Sequence, residues 1–364
     1  MSNDTSFLSV GVIGTGGMGA RHARNLHNHA AQAKVAAIMD VDLDRAGSVA
    51  AECGGAKVFD DAEELIRADD VQAVVIASPD LTHRALTLEC LRHNKPVLCE
   101  KPLATTAGDA KDLVDAESQL GRQLVQVGFM RQYDPRHAAV KQALDSGSVG
   151  RPILFKGWHH NQASYPGMTS ELVVIGSCIH DLYSAQWLLG QEIEEVFIGG
   201  TSTGWTSKDL TSTGEPSKGA TSAAGSDGVL DLQLVQMTLS GGCLATIEVN
   251  MNARYGYEVG VQVTGEHGIV GTEPSLGAVL RREETCSQRV DSDWLERFDA
   301  AYRIEIQQWV KSVQSGVAEG PSAWDGYTTL LAAEACLRSL KSGLPEKVKS
   351  KIRPALYASP QAKL

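Results

Sequence analysis

The chain has 364 residues, of which 43% are hydrophobic and 21% charged, and this composition excludes a globally disordered protein. Its 33 Lys and Arg residues against 44 Asp and Glu residues give a net charge of −11, which disfavours nucleic acid as a partner. No apolar run approaches the ~18–20 residues that a membrane span needs. Residues 1–5 lack the basic and apolar regions of a secretory signal, so we expect no membrane partner either.

The cysteine pattern indicates a reducing compartment. The chain has seven cysteines, an odd number, and no two of them form a C-x-x-C pair. Neither a disulfide scaffold nor a zinc knuckle is therefore indicated, and we expect a cytoplasmic protein.

Strands and helices alternate through the first third of the chain. Apolar, β-branched runs predict strands at 7–13, 35–39, 73–77, 96–99 and 123–127. Helical patterns lie between them, at 18–29, 45–52, 82–93 and 107–119. This alternation predicts an α/β domain over residues 1–127, with a parallel, doubly wound sheet covered on both faces.

The pattern changes after Gly128. Strand-rich stretches at 152–159 and 229–264 and helical stretches at 294–313 and 323–342 predict an α+β domain over 128–345, with a large, mainly antiparallel sheet. The second strand-rich stretch sets Leu230, Leu232 and Leu234 against Asp231, Gln233 and Val235. Residues 201–228 are rich in Ser, Thr and Gly and predict a flexible insertion, while 346–364 form a C-terminal tail.

A glycine motif follows the first predicted strand and precedes the first predicted helix. Residues 14–19 read GTGGMG and fit the G-x-G-x-x-G pattern that brings a helix N-terminus against a pyrophosphate. The second long strand ends at Asp40, where a carboxylate accepts ribose hydroxyls and repels a 2′-phosphate. We therefore predict an NAD site at Gly14, Gly16, Gly17, Met18, Gly19 and Asp40. The alternatives are an ordinary tight turn and a helix-capping carboxylate.

Two further polar clusters follow predicted strands. Ser78, Pro79 and His83 come after one strand, and Glu100 and Lys101 come after the next. Because doubly wound sheets bind ligands at the carboxyl ends of their strands, we expect these five residues to line the cofactor site.

With these residues in place, the chain resembles the glucose–fructose oxidoreductase/inositol dehydrogenase/MocA family over nearly its whole length. The likeness is greatest to the bacterial inositol 2-dehydrogenases, through the segments 128–134, 255–257 and 324–327. The resemblance implies hydride transfer from a secondary alcohol of a cyclic polyol or sugar to NAD, which leaves a ketone.

The resemblance also assigns two catalytic residues. Lys101 matches the positive donor that steadies a developing alkoxide, and His180 matches a histidine at the opening of a helix that takes the hydroxyl proton. The alternatives are a structural lysine paired with Glu100 and a histidine of the helix core.

The chain departs from its relatives one helical turn before His180. Inositol dehydrogenases place an aspartate there, whereas this chain has Gly176, which puts myo-inositol itself in doubt as the substrate. Asp181 points about 100° away from His180 on a helix and is no obvious replacement. Ser177 and Glu171 remain possible substitutes.

The same matching assigns substrate contacts outside the cofactor site. The candidate substrate-binding residues are Arg131, Tyr133, His159, Asn161, Gly176, His180 and Tyr255. Tyr257 is a further residue expected to close the pocket. His159 and His160 are neighbours on a strand and point to opposite faces, so we expect no metal site.

Three functions stay open at this point. The first is an NAD-dependent dehydrogenase of a cyclic polyol or sugar. The second is an NAD-dependent glycoside hydrolase that oxidises a sugar transiently, eliminates the aglycone and returns the hydride; Tyr133, His159 and His160 are its extra acid–base candidates. The third is a non-catalytic NAD-sensing or partner-binding protein. The resemblance further implies a homodimer or homotetramer built through the broad sheet of the second domain.

Overall fold

The computed structural model describes residues 7–204, 228–272, 279–349 and 352–358, and residue contacts divide the chain into two units. Unit 1 comprises Met1–Tyr133, Ala300–Leu330 and Lys351–Leu364. Unit 2 comprises Asp134–Asp299 and Leu331–Ser350.

Unit 1 is built on a six-stranded parallel sheet, as the sequence predicts. Its strands are β1 (Leu8–Ile13), β2 (Ala33–Met39), β3 (Lys57–Phe59), β4 (Ala73–Ile76), β5 (Val97–Glu100) and β6 (Val125–Gly128). The intervening helices are α1 (Gly17–His29), α2 (Leu43–Glu52), α3 (Ala62–Arg67), α4 (Asp80–Arg92) and α5 (Ala107–Leu120). The short elements β3 and α3 were not predicted.

The strand order places the candidate residues at one edge of this sheet. The order is β3-β2-β1-β4-β5-β6, and every pair is parallel. The chain direction across the sheet reverses at β1, and every residue of β1 and β4 is buried. The carboxyl ends of β1, β2, β4 and β5 therefore meet where open α/β sheets bind ligands.

Unit 2 is built on a mixed sheet that is mainly antiparallel, again as predicted. Its strands run in the order β12-β11-β7-β10-β9-β8-β15; the pair β7–β10 is parallel and the five other pairs are antiparallel. Their bounds are β7 (Pro152–His160), β8 (Ile193–Thr201), β9 (Leu232–Leu239), β10 (Leu244–Asn250), β11 (Glu258–Gly265), β12 (Ile269–Gly271) and β15 (Glu346–Lys347). A separate hairpin is formed by β13 (Val279–Arg282) and β14 (Thr285–Gln288).

The remaining helices complete the two units. They are α6 (Pro135–Asp145), α7 (Ser170–Leu172), α8 (Ile179–Leu189), α9 (Trp294–Ser315), α10 (Ala323–Ser342) and α11 (Ala355–Ala358). Both long C-terminal helices lie where the sequence predicts them.

Contacts group part of the C-terminal region with unit 1, which differs from the predicted domain boundaries. Ile306, Trp309 and Val310 are buried in the same core as the residues of β1 and α1, because this face of α9 is apolar. The predicted tail is also shared: Glu346 and Lys347 pair with β8, whereas Tyr357 donates a hydrogen bond to Glu117 of unit 1.

The β9 strand buries the face that carries Val235, Met237 and Leu239, which pack in the core of unit 2. Leu234, on the opposite face, is 45% exposed. Asp231, just before the strand, is buried and accepts hydrogen bonds from Thr203 and Asn252. Alternation thus indicates a two-faced strand, and Leu234 lies on its outward face.

Helical structure before His180 starts earlier than predicted. A π-helical segment, Val173–Cys178, joins α7 to α8, so the helical run extends over Ser170–Leu189. By length and composition this run is the one described helix apolar enough to cross a membrane, and 67% of it is buried within the protein. Burial of that kind is typical of a core helix.

Most of the predicted insertion at 201–228 falls outside the described residues, namely at 205–227. At its start, Thr203 donates hydrogen bonds to Asp231 from both its backbone and its hydroxyl group.

Candidate active site

The turn between β1 and α1 requires glycine at two positions. Gly14 has φ +89°, and a Cβ there would lie 2.6 Å from the carbonyl oxygen of Ala77. A Cβ on Gly19 would lie 1.8 Å from the carbonyl oxygen of Gly14. Both contacts are with backbone atoms that cannot move aside, so these two glycines bring α1 against β1 and β4.

The middle of the same turn is open. Gly16 and Gly17 are exposed, and a Cβ added to either would meet no atom of the described residues within 4 Å. The first turn of α1 contains no acidic residue, and Met18 lies there partly buried. The turn therefore leaves room for a pyrophosphate against the N–H groups of a helix N-terminus, and these residues fit a dinucleotide.

Asp40, directly after β2, faces this turn. Its carboxylate accepts hydrogen bonds from the backbone N–H of Thr15 (2.6 Å), the Thr15 hydroxyl (2.7 Å) and Arg45 Nη2 (2.7 Å). Although burial alone raises its pKa, the hydrogen bonds from Asp42, Thr15 and Arg45 hold the pKa of Asp40 well below its ordinary value. The side chain is therefore a fixed anion beside the glycine turn. The pairing of Asp40 with Arg45 was not predicted.

The residues after β4 are arranged around a buried histidine. His83 directs Nδ1 at the carbonyl oxygen of Pro102 (2.7 Å) and Nε2 at that of Ser78 (2.9 Å). Burial lowers the pKa of His83, but the neighbouring Cys99 and these two carbonyls outweigh burial and raise it to about 10. Because both ring nitrogens donate to the backbone, His83 holds the segments after β4 and β5 together. Pro79, at the start of α4, is exposed.

Glu100 and Lys101 end β5. One Glu100 oxygen accepts from His22 Nε2 (2.7 Å), and the other accepts from the backbone N–H of Lys101 (3.2 Å). Burial lowers the pKa of the Lys101 ammonium, and the charge of Arg131 lowers it further, while Glu100 and Asp80 oppose this. The pair is therefore an ordered carboxylate beside an ammonium whose proton is held less tightly than usual.

A second buried carboxyl group lies near this pair and was not predicted. Glu305 on α9 is completely buried, and neither of its oxygens has a hydrogen-bond partner among the residues that the structure describes. Burial and the charge of Glu100 raise the pKa of Glu305 well above its ordinary value. Tyr302, one helical turn earlier, packs edge-on against His22. The burial of Glu305 could not be predicted from the sequence, because glutamate is common on the solvent-exposed face of helices.

Arg131 and Tyr133, predicted to bind substrate, lie on a 3-10 helix after β6. The Arg131 side chain is fully buried and Tyr133 is 5% exposed. Burial raises the pKa of the Tyr133 hydroxyl well above its ordinary value. Both side chains are thus enclosed in unit 1, and their contact with substrate stays a prediction.

The two neighbouring histidines at the end of β7 face opposite sides of the sheet, as predicted. His159 is buried and contacts Asp181 and Tyr257. His160 instead contacts Tyr255 and Glu248. Among the residues that the structure describes, no group of three His, Cys, Asp or Glu side chains could hold a metal ion.

Two other predicted substrate residues lie near the ends of strands: Asn161 follows β7, and Tyr255 precedes β11. Asn161, just after β7, is held by backbone hydrogen bonds to Asn250 and Ala253. Tyr255 is 52% exposed, and its hydroxyl donates to Glu258 (2.9 Å). Their roles at the substrate also stay predictions.

Gly176 lies in the π-helical segment and His180 in the first turn of α8. His180 is 7% exposed. A Cβ added to Gly176 would meet one atom within 4 Å, the hydroxyl oxygen of Tyr165 at 3.7 Å. Space for a side chain therefore remains at this position. Of the two proposed substitutes, Ser177 is partly buried and Glu171 is exposed.

Family models match both parts of the chain. The model of the oxidoreductase family with an NAD-binding Rossmann fold matches residues 8–129, and its C-terminal α/β domain matches residues 141–349. The chain belongs to the glucose–fructose oxidoreductase/inositol dehydrogenase/MocA family. As a member of this family it is an NAD-dependent oxidoreductase, which confirms the predicted cofactor and enzyme class.

Several relatives within the family resemble the chain over its whole length. An inositol 2-dehydrogenase from Rubrobacter xylanophilus is 52% identical, covering 98% of each chain. Inositol 2-dehydrogenase 2 from Saccharopolyspora erythraea is 40% identical, covering 96% of this chain and 98% of the relative. The fold also resembles the crystal structure of myo-inositol dehydrogenase from Lactobacillus casei in complex with NAD(H) and myo-inositol, with a TM-score of 0.87 and 33% sequence identity. The match covers 96% of this chain and 99% of the Lactobacillus chain.

Proposed function

We propose that this protein oxidises one secondary hydroxyl group of an inositol or a closely related cyclic polyol to a ketone, with NAD as the hydride acceptor. The observation that carries the proposal is the 52% identity with an inositol 2-dehydrogenase over 98% of both chains. The open glycine turn and the fixed Asp40 anion agree with NAD as the coenzyme.

Lys101 is proposed as the group that steadies negative charge on the substrate. Bound NAD supplies a nicotinamide ring that accepts the hydride. As the hydroxyl proton leaves, the carbinol oxygen gains negative charge, and an ammonium close to it lowers the cost of that charge until the hydride departs and the ketone forms. The Glu100 carboxylate positions Lys101 by accepting a hydrogen bond from the backbone N–H of Lys101, and His22 holds the other carboxylate oxygen.

His180 is proposed as the acceptor of the hydroxyl proton. A neutral imidazole takes a proton near neutral pH, which an ammonium cannot do. His180 lies in the first turn of α8, where its backbone carbonyl accepts a hydrogen bond from the Ser184 hydroxyl.

The glycoside hydrolase alternative is not favoured. The relatives named above are dehydrogenases, and two of its extra acid–base candidates have partners within the fold: His159 contacts Asp181, and His160 contacts Glu248. The third candidate, Tyr133, is enclosed in unit 1.

The decisive experiment follows NADH by near-UV absorbance across inositol stereoisomers, aldoses and aryl glycosides, with aglycone release measured in parallel. We expect one NADH per polyol oxidised and near-complete loss of turnover in Lys101→Ala. Aglycone release without NADH accumulation would instead establish the hydrolase. Tight NAD binding without turnover on any substrate would leave an NAD-sensing protein.

We also propose that the outward face of the unit 2 sheet pairs with a second copy of the chain. Leu234 and Leu244 on this face are 45% and 55% exposed. Leu244 helps to line a groove of about 560 Å³, together with residues that include Leu154, Phe197 and Thr246. Apolar surface of this kind gains free energy when a partner covers it. Light scattering should give a dimer or tetramer, and Leu234→Glu with Leu244→Glu should give smaller species.

A cytoplasmic location is proposed from the cysteines. All seven are free thiols, and six of them are buried. Cys286 is exposed and would be open to oxidation outside a reducing compartment. Cell fractionation tests this location directly.

A further inference from the structure

Three buried side chains of unit 2 form a continuous hydrogen-bonded chain, called here the relay: Asp181, His159 and Tyr257. His159 Nδ1 lies 3.0 Å from Asp181 Oδ2, and His159 Nε2 lies 3.3 Å from the Tyr257 hydroxyl oxygen. The two rings meet edge to face at 82°, with centroids 5.7 Å apart. None of the three residues is more than 5% exposed.

The donor and acceptor groups of the three side chains determine the direction of the hydrogen bonds in the relay. An ionised carboxylate only accepts hydrogen bonds, so His159 must present Nδ1–H to Asp181. A neutral imidazole protonated at Nδ1 has a lone pair at Nε2, and this lone pair accepts from the Tyr257 hydroxyl. Each hydrogen therefore points from Tyr257 towards Asp181. The same logic orients the histidine of carboxylate–histidine pairs in other enzymes.

The relay joins three elements that carry candidate polyol-binding residues. Asp181 lies on α8, His159 on β7, and Tyr257 one residue before β11. The candidate residues within two positions of a relay member are His180, Asn161 and Tyr255. A shift of any of these elements would therefore stretch a relay hydrogen bond.

Filling a core with a chain of polar groups is unfavourable in free energy. Removing such groups from water costs free energy that apolar side chains would not cost, and only complete hydrogen bonding offsets it. Apolar residues such as Val173, Leu182 and Val261 form the hydrophobic core of the same unit. Retention of a polar chain at this place favours a role in orientation over a role in stability.

We propose that the relay positions the polyol-binding residues of unit 2, with Asp181 and Tyr257 holding His159 as its Nδ1–H tautomer. The inference rests on the proposed function, because the polyol is the substrate assigned there. It also changes the role predicted for His159: both ring nitrogens are committed to protein partners, so it is a positioning residue.

The first test needs no turnover. In the full-length protein labelled with ¹⁵N-histidine, NMR of the His159 ring should show the neutral Nδ1–H tautomer. Asp181→Asn should disturb that state, because an amide N–H offered to Nδ1 favours the opposite tautomer. An Nε2–H tautomer or a doubly protonated ring in the unaltered protein would overturn the proposed direction.

The second test is kinetic. Asp181→Asn and Tyr257→Phe should each lower kcat/KM for the polyol by about 10- to 100-fold, while KM for NAD stays unchanged. The double variant should lose little more than either single one, because the members act as a unit. Wild-type kcat/KM in both folded variants, or losses that multiply, would overturn the relay.

Matched controls separate the possible failures. Glu248→Gln makes the same kind of change at the exposed carboxylate that contacts His160, and it should leave kinetics and the His159 tautomer unaltered. If Asp181→Asn does not fold, Tyr257→Phe, which removes one oxygen atom, carries the kinetic test. If the unaltered protein oxidises no cyclic polyol, the proposed function fails, and the NMR result still decides the hydrogen-bond direction.

Discussion

Arg45 Nη2 lies 2.7 Å from Oδ1 of Asp40, so the anion expected to select NAD is paired with a cation five residues further along the chain. The same guanidinium also contacts Asp42 and the Thr15 hydroxyl. Asp40 repels a 2′-phosphate, whereas an arginine released from it would attract one. The preference for NAD therefore depends on whether Arg45 is paired with Asp40 or is released to bind a 2′-phosphate.

Asp40→Ala should shift coenzyme preference towards NADP. Removing the carboxylate eliminates the repulsion and frees Arg45, so the ratio of kcat/KM for NADP to that for NAD should rise by about 10- to 100-fold, or roughly 1.4–2.8 kcal/mol. The rate with NAD should fall, because Thr15 loses its acceptor. Initial rates with both coenzymes at a saturating polyol concentration measure the ratio.

Asp44→Asn serves as the matched control, since it removes an exposed carboxylate from the first turn of α2 and should leave the ratio unchanged. The combination of Asp40→Ala with Arg45→Ala should lose the gain with NADP. A ratio that does not move in Asp40→Ala would show that Asp40 does not face the coenzyme ribose.

The glycine turn predicts opposite effects for two similar substitutions. Gly19→Ala places a methyl carbon 1.8 Å from a backbone oxygen, so it should destabilise unit 1 by about 1–3 kcal/mol. Gly16→Ala meets no atom within 4 Å in the part of the chain that the structure describes, so it should change stability little and weaken NAD binding by about tenfold. Thermal unfolding without NAD and titration calorimetry with NAD separate the two. Equal stability losses would contradict the geometry of the turn.

The alkaline limit of activity should depend on Glu100. The role proposed for Lys101 requires its ammonium form, and the negative charge of Glu100 raises the Lys101 pKa against the effect of burial. Glu100→Gln should therefore move the alkaline limb of the kcat/KM profile to lower pH. Lys101→Met should lose about 100- to 1,000-fold in kcat at every pH.

Glu52→Gln is the control for that profile, because Glu52 is an exposed carboxylate paired with Arg24 on the surface of unit 1. It should leave the alkaline limb where it is. An alkaline limb that moves to higher pH in Glu100→Gln would contradict the assignment to Lys101.

His83 should make unit 1 lose stability in alkaline solution. Its pKa rises from 6.5 to about 10 on folding, so its contribution is complete below pH 6.5 and disappears as pH approaches 10. The contribution is at most roughly 5 kcal/mol. His83→Gln should flatten the fall of unfolding free energy over this range, as measured by urea unfolding. His29→Gln, at an exposed histidine, should retain it.

Gly176→Asp should change substrate selection. A Cβ at this position has one near neighbour among the described residues, the Tyr165 hydroxyl, so an added side chain can begin there without displacing backbone. We expect the ratio of kcat/KM for myo-inositol to that for bulkier sugars to rise, because the carboxylate occupies space that a larger ring would use. Gly176→Ala tests volume without charge. Unchanged selectivity in both variants would dismiss the idea that this vacancy sets substrate choice.

Features that depend on local order along the chain were predictable from the sequence. The parallel sheet, the glycine turn and the strand ends at Asp40 and Lys101 all follow from periodicity and from fixed motif spacing. The helices at 294–313 and 323–342 were predictable for the same reason. The short elements β3 and α3 were missed because three to six residues carry too little periodicity to register.

Partnerships between distant residues were decided by the tertiary structure. Asp181 follows His180 in sequence, yet its carboxylate meets His159, 22 residues earlier, because α8 turns that side chain towards β7. Glu305 lies more than 200 residues from Glu100, and only the packing of α9 within unit 1 brings their charges together. The outward leucines of β9 likewise follow from what fills the core beneath the strand.

The sequence alone determined the chemistry: a nucleotide-binding turn, an acidic residue for the ribose, and a lysine and a histidine suited to oxidise an alcohol. Tertiary structure decided how those groups are tuned, through Arg45 on Asp40, His22 on Glu100, and the two carbonyls on His83. The physical reason is that residue type fixes which proton or charge a side chain offers. Burial and neighbouring groups, which exist only in the folded chain, decide how strongly it holds them.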